Sequence, residues 1–217
     1  MSADRVGRLI ELGRDGEAAH LAVRDAGGPV ETEEAVMVGP LEQLEVVIPA
    51  FLRLVREDEA FLGLATPCEG WVVRDLLDHV NGGARAFAAA FEARPVRERA
   101  LGDHPAETLR EALTDFDAAA RSAGALDRTI ESPFGPMPGE VFARLAALDL
   151  LVHIWDLSGA TGQTPGVPDE VVRAADEFAR QAITDDLRRP GVFGPEVASP
   201  GTGDRLDALA AFTGRRP

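Results

Sequence analysis

The chain has 217 residues, 22 basic against 37 acidic, for a net charge of −15. At 45% hydrophobic and 27% charged it holds enough apolar mass for a core, and its length suits one domain or one domain with an appendage. A surface this acidic repels phosphate backbones and anionic lipid, which argues against nucleic acid and membrane surfaces as partners.

Every basic residue is Arg, and Tyr is absent. The single cysteine, Cys68, excludes an intramolecular disulfide and any Cys-rich zinc module. It fits a reducing interior. The first thirty residues carry Arg5, Arg8, Glu11, Arg14, Asp15 and Glu17, so no apolar run there reads as a signal peptide. No stretch approaches the roughly 20 apolar residues that span a bilayer. The expectation is a cytoplasmic globular protein.

Residues 1–38 read as an N-terminal extension, partly ordered. A short polar helix is broken by Gly27-Gly28-Pro29, an acidic stretch follows, and Gly39-Pro40 separates it from the rest. Residues 39–217 read as a helical bundle. Over 40–62, Leu41, Leu44, Ile48, Phe51, Leu52 and Val55 recur at helical spacing. The loop Ala65–Gly70 leads to a second helix over 72–91, with the stripe Val72, Leu76, His79, Val80, Gly83, Phe87. A third, 105–122, opens on Pro105, which suits a first turn. Residues 127–138 are the one extended, turn-rich stretch. A fourth helix over 139–161 stops at Gly162. A fifth covers 169–186, and a loop-rich tail closes on a helical turn at 206–212. With no strand–glycine-loop–helix unit, the pattern predicts an all-α antiparallel four-helix bundle with an additional C-terminal helix.

The fourth helix is the most informative. Leu145 to Leu157 reads LAALDLLVHIWDL, apolar nearly all round, and only Asp149, His153 and Asp156 interrupt it. At i, i+4 and i+7 they share one face. A buried carboxylate without a partner costs several kcal/mol, so an Arg or a metal ion must compensate. His79 lies on the apolar stripe of the second helix. A His from one helix with an i, i+4 carboxylate/His pair from another is how bundles build metal sites, and three protein ligands leave positions open. Taken singly, His79 reads as a core histidine and the Asp149–His153 pair as an intrahelical hydrogen bond. Together they favour the metal reading. His20 and His104 read as solvated, Cys68 as a partly buried structural thiol, and Trp71 and Trp155 as packing residues. The Arg215-Arg216 pair reads as a solvated tail able to reach back to an anionic ligand.

The runs Thr66-Pro67-Cys68-Glu69-Gly70-Trp71, Val73-Arg74-Asp75-Leu76-Leu77 with His79, and Asp149 through Leu157 resemble the DinB-like metal-binding superfamily. The resemblance is to its branch related to mycothiol-dependent maleylpyruvate isomerase, and it covers residues 40–217. It implies a four-helix bundle holding a divalent metal (Zn, Ni, Fe or Mn), with His79, Asp149 and His153 as ligands. The isomerase branch has Glu where Asp149 stands, one methylene longer. The resemblance also implies a thiol cofactor, mycothiol, whose sulfur the metal would bind. The isomerase holds its dicarboxylate substrate with arginines; Arg74, Arg85 and Arg215 are available here.

Two readings of function follow. One is a metal- and thiol-dependent transferase or isomerase acting on a small molecule, with Asp156 orienting a ligand. The alternative is a non-catalytic metal or small-ligand binding module. A third, purely structural bundle would use the Asp149–His153 pair for helix specificity. Apolar faces on bundle helices are compatible with a homodimer.

Overall fold

Helix α1 (Pro40–Leu54) begins where Pro40 sets the first turn and the Glu42 carboxylate accepts the Gly39 N–H at 2.7 Å. It buries Leu44, Val47, Ala50, Phe51 and Leu54. The helix expected over 40–62 is in fact two. The chain leaves α1 at Val55, and the exposed run Arg56-Glu57-Asp58 follows. Asp58 then caps a new helix, α2 (Glu59–Leu62), by accepting from Phe61 N at 3.0 Å. The computed structural model describes residues 38–189, 192–199, 201 and 203–216, so the extension assigned to 1–38, with His20, lies almost wholly outside the described residues.

Helices α3 (Val73–Phe91) and α4 (Pro105–Ala120) match their expected spans to within two residues. The extended stretch forms a hairpin, β1 (Thr129–Ser132) antiparallel to β2 (Gly135–Pro138), with Thr129 opposite Pro138 and Ser132 opposite Gly135. It leads into α5 (Gly139–Thr161), which Gly162 ends at φ +69°. Helix α6 (Asp169–Ala182) ends earlier than expected, and a 3-10 turn covers Asp185–Leu187. Helix α7 (Arg205–Phe212) starts at Asp204, which caps Leu206 and Asp207.

The four long helices α1, α3, α4 and α5 pack around one core. Arg121, at the end of α4, donates to Leu41 O at the start of α1, and Arg144, early in α5, donates to Val38 O. Thus α1 and α5 run one way. Helices α3 and α4 run the other way, since Phe87 and Phe91 late in α3 stack on Phe116 late in α4 and on Phe142 early in α5, at 5.2–6.2 Å. Fully burying each of Phe91, Phe116 and Phe142 stabilises the fold by about 1.5–3 kcal/mol, while Phe87 is only partly buried.

Parallel neighbours need a return path, and residues 92–104 supply it alongside α3. Asn81, buried, donates to Arg99 O at 2.6 Å, Arg74 reaches Gly102 O, and Asp78 accepts from Leu101 N. At the head of α5, Gly139 lies so close to the Ala125 backbone that a Cβ would fall 2.0 Å from Ala125 O. Among the described residues no helix is long and apolar enough to cross a membrane.

Candidate metal centre

The end of the bundle where α3 begins is closed by the loop 63–72. Thr66 N donates to Trp71 O at 3.0 Å, Trp71 N to Cys68 O at 3.0 Å, and the Thr66 hydroxyl accepts from Cys68 N at 3.2 Å. The Asp75 carboxylate accepts from Val72 N at 3.0 Å and so starts α3. The loop also rests on α5, where Gly159 leaves room for the Pro67 ring: a Cβ there would lie 3.3 Å from Pro67 Cγ. This anchoring sets Trp71 against His79, ring centroids 5.2 Å apart.

His79, in the second turn of α3, faces the middle of α5. Its ring lies 4.9 Å from that of His153, edge to face. On α5, His153 Nε2 is 3.5 Å from Asp149 Oδ1, one turn earlier. One donor atom each from His79, Asp149 and His153 fall within 4.8 Å of one another. The three residues that the spacing singled out are thus brought together. Their donor set, two imidazole nitrogens and a carboxylate oxygen, suits first-row divalent ions. Ligand lengths of 2.0–2.1 Å put neighbouring donors about 3.3 Å apart in a tetrahedral site, close to the Asp149–His153 separation.

The two acids of the fourth-helix motif differ in a way the spacing did not reveal. The Asp149 side chain is 41% exposed and stands at the mouth of the site, whereas Asp156 is wholly buried. Asp156 Oδ2 lies 3.0 Å from His153 Nδ1 and 3.3 Å from an Arg215 guanidinium nitrogen. An Arg is therefore the partner of Asp156, and Asp156 orients the imidazole. Asp156 Oδ1 is buried without a hydrogen bond. Of the three arginines available from sequence only Arg215 interacts with this cluster; Arg74 and Arg85 are held at the 92–104 crossover by Gly102 O and Asn81.

The electrostatics separate the two histidines. Burial pushes His79 down to about 4, and the neighbouring His153 adds to this. Its imidazole is neutral at pH 7. Burial alone would lower His153 too, but the charge and hydrogen bond of Asp149, then Asp156, raise it to about 9. Its partial burial would raise Asp149, but the charge and hydrogen bond of His153 outweigh this and take it down to about 2. Burial, then the charge of Asp156, pushes the Cys68 thiol up to about 12, in keeping with a structural thiol. Trp155 is a packing residue that donates to Asp207 at 2.8 Å and ties α5 to α7, while Trp71, also read as packing, lies against a site imidazole. His104 precedes α4 on the exposed surface.

A family model, the mycothiol maleylpyruvate isomerase N-terminal domain, matches residues 41–158, which hold all three clustered donors. Two proteins from Mycobacterium tuberculosis strains, the uncharacterized proteins MT0763 and Rv0738, are each 34% identical over 167 residues, 76% of this chain and 90% of theirs. Among solved structures, the mycothiol-dependent maleylpyruvate isomerase aligns at a TM-score of 0.52 and 18% identity over 62% of this chain. The alignment spans 65% of that protein, just under two thirds, and the likeness is one of fold.

Proposed function

The chain belongs to the mycothiol maleylpyruvate isomerase N-terminal domain family, and from that premise we propose that His79, Asp149 and His153 hold a divalent metal ion. We propose further that this centre takes a low-molecular-weight thiol, mycothiol in this family, in a transferase or isomerase reaction on a small molecule. The observation that carries the reading is the convergence of the three donors from two helices.

An ion bound there would lower the pKa of a thiol that coordinates it. The chain's own residues prepare for this. His79 is already neutral, so its lone pair is available at pH 7 without displacing a proton. Asp156 accepts from His153 Nδ1, which leaves Nε2 facing Asp149 and the shared point. Asp149, open to solvent, marks the side from which a small molecule arrives. Trp71 covers one side of His79 and limits water there. Cys68 stays protonated at neutral pH and leaves the nucleophile's role to the incoming thiol.

One observation favours the non-catalytic alternative. The charged groups that act on His79 and His153 are Asp149, Asp156 and Arg215, each already paired. A thiol titration of cobalt-substituted protein decides between the readings. The enzyme reading expects a sulfur-to-cobalt charge-transfer band on adding mycothiol or a simpler thiol, absent in His153→Ala and retained in Cys68→Ala. Cobalt uptake with no such band for any thiol would leave the binding module.

A further inference from the structure

Arg215 is separated by 59 residues from Asp156, yet its guanidinium reaches the buried carboxylate oxygen that also holds His153. We propose that Arg215 is a positioning residue for the metal centre, acting through Asp156 on the His153 ring, and that the C-terminal segment is built to deliver it. The inference rests on the metal reading above.

The case begins with charge. Asp156 is fully buried, and a neutral His153 bound to metal through Nε2 offers it a hydrogen bond but no positive charge. Arg215 is then its remaining ion-pair partner among the described residues. Both contacts fall on Oδ2, while Oδ1 has no hydrogen bond. The Cys68 thiol also lies near this carboxylate, but the two charged or ring neighbours on Oδ2 are His153 and Arg215, and they set its orientation. Without Arg215, Oδ2 keeps only the His153 contact, the carboxylate is free to turn away from Nδ1, and the ring loses the neighbour that fixes its orientation.

The second argument is the effort spent on placing Arg215. Its N–H donates to Ala210 O at 2.9 Å, and Gly194 N donates to Thr213 O at 3.2 Å. One nitrogen of Arg188 donates to both Gly194 O, at 2.8 Å, and Phe212 O, at 2.9 Å. The guanidinium groups of Arg180 and Arg188 also lie 4.7 and 4.6 Å from the Phe212 ring centre. Gly214 adopts φ +96°, and a Cβ there would sit 2.6 Å from Gly194 Cα, so two glycines cross with no room for a side chain. Every one of these contacts falls on the turn that immediately precedes Arg215 or on the strand of chain beside it.

The test compares the full chain with Arg215→Gln, Arg215→Lys and His153→Ala. Cobalt(II) affinity and the cobalt d–d spectrum are read, with melting temperature followed in parallel. Arg215→Gln should weaken cobalt binding about 10- to 100-fold and alter the spectrum. Arg215→Lys, which restores the charge, should recover most of both. Wild-type affinity and spectrum in Arg215→Gln would overturn the proposal. So would equal losses in Gln and Lys variants that track equal losses in melting temperature, since that pattern marks a structural role only. A metal-free readout separates this from failure of the metal reading. In histidine-labelled apoprotein the His153 Nδ1 resonance should move in Arg215→Gln, with His104 as the internal reference. If the wild-type chain takes up no cobalt, the metal reading fails. A moved His153 signal would then still support the coupling, and an unmoved one would overturn it.

Discussion

His153 Nδ1 lies 3.0 Å from Asp156 Oδ2, one turn along the same helix, and this contact decides which nitrogen is left to face Asp149 and His79. A histidine free to rotate would present either nitrogen. Here the second acid of the motif removes that choice, and it does so from a fully buried position that Arg215 balances. The i, i+4 and i+7 spacing therefore separates two acids, one carboxylate at the mouth and one that orients the ring from beneath.

Cys68 should be nearly inert to alkylation. With its thiol at about 12 rather than the ordinary value near 8.5, only about one molecule in ten thousand carries the thiolate at pH 8. The upward shift favours the neutral form, so the iodoacetamide rate should still be climbing above pH 10. Asp156→Asn removes the neighbouring charge and should speed the reaction. A rate at pH 8 matching that of a free peptide thiol would contradict the assignment.

Gly139→Ala should destabilise the fold by about 1–3 kcal/mol, because the new methyl meets Ala125 O and the head of α5 must shift. For a chain of this size that is roughly 2–12 °C in melting temperature. A melting temperature equal to that of the unsubstituted protein would show that this junction yields freely.

Asn81→Ala should loosen the 92–104 crossover, since Arg99 O loses its partner and the Arg85 guanidinium loses Asn81 Oδ1. The cost of such an unpaired group is about 1–3 kcal/mol. Limited trypsin digestion should cut the variant sooner than the wild type at Arg97 or Arg99. Identical digestion would mean that Asn81 does not hold the segment.

What could be read from the chain was what depends on local repetition. Pro105 and Gly162 mark real ends because helix starts and stops are local chemistry, and the His79 and Asp149–His153 faces follow from the 3.6-residue period. The break after Leu54 was missed because Val55, Phe61 and Leu62 continue the apolar rhythm, although Asp58 carried the signal for a fresh start. The shared direction of α3 and α4 was hidden, since it rests on backbone contacts of Asn81, Arg74 and Asp78 with an irregular crossover. The Asp156–Arg215 pair was open only as a choice between Arg and metal. Nothing in periodicity can say which of 22 basic residues in the chain arrives.

The most direct test of the metal centre is elemental analysis of untagged protein purified without added metal, beside His79→Ala and His153→Ala. The account predicts about one divalent ion per wild-type chain. It predicts almost none in either variant, with the helical circular dichroism of all three largely unchanged. Full metal retention in either variant, or a wild-type chain that stays empty after dialysis against Zn, Ni, Fe and Mn in turn, would contradict it.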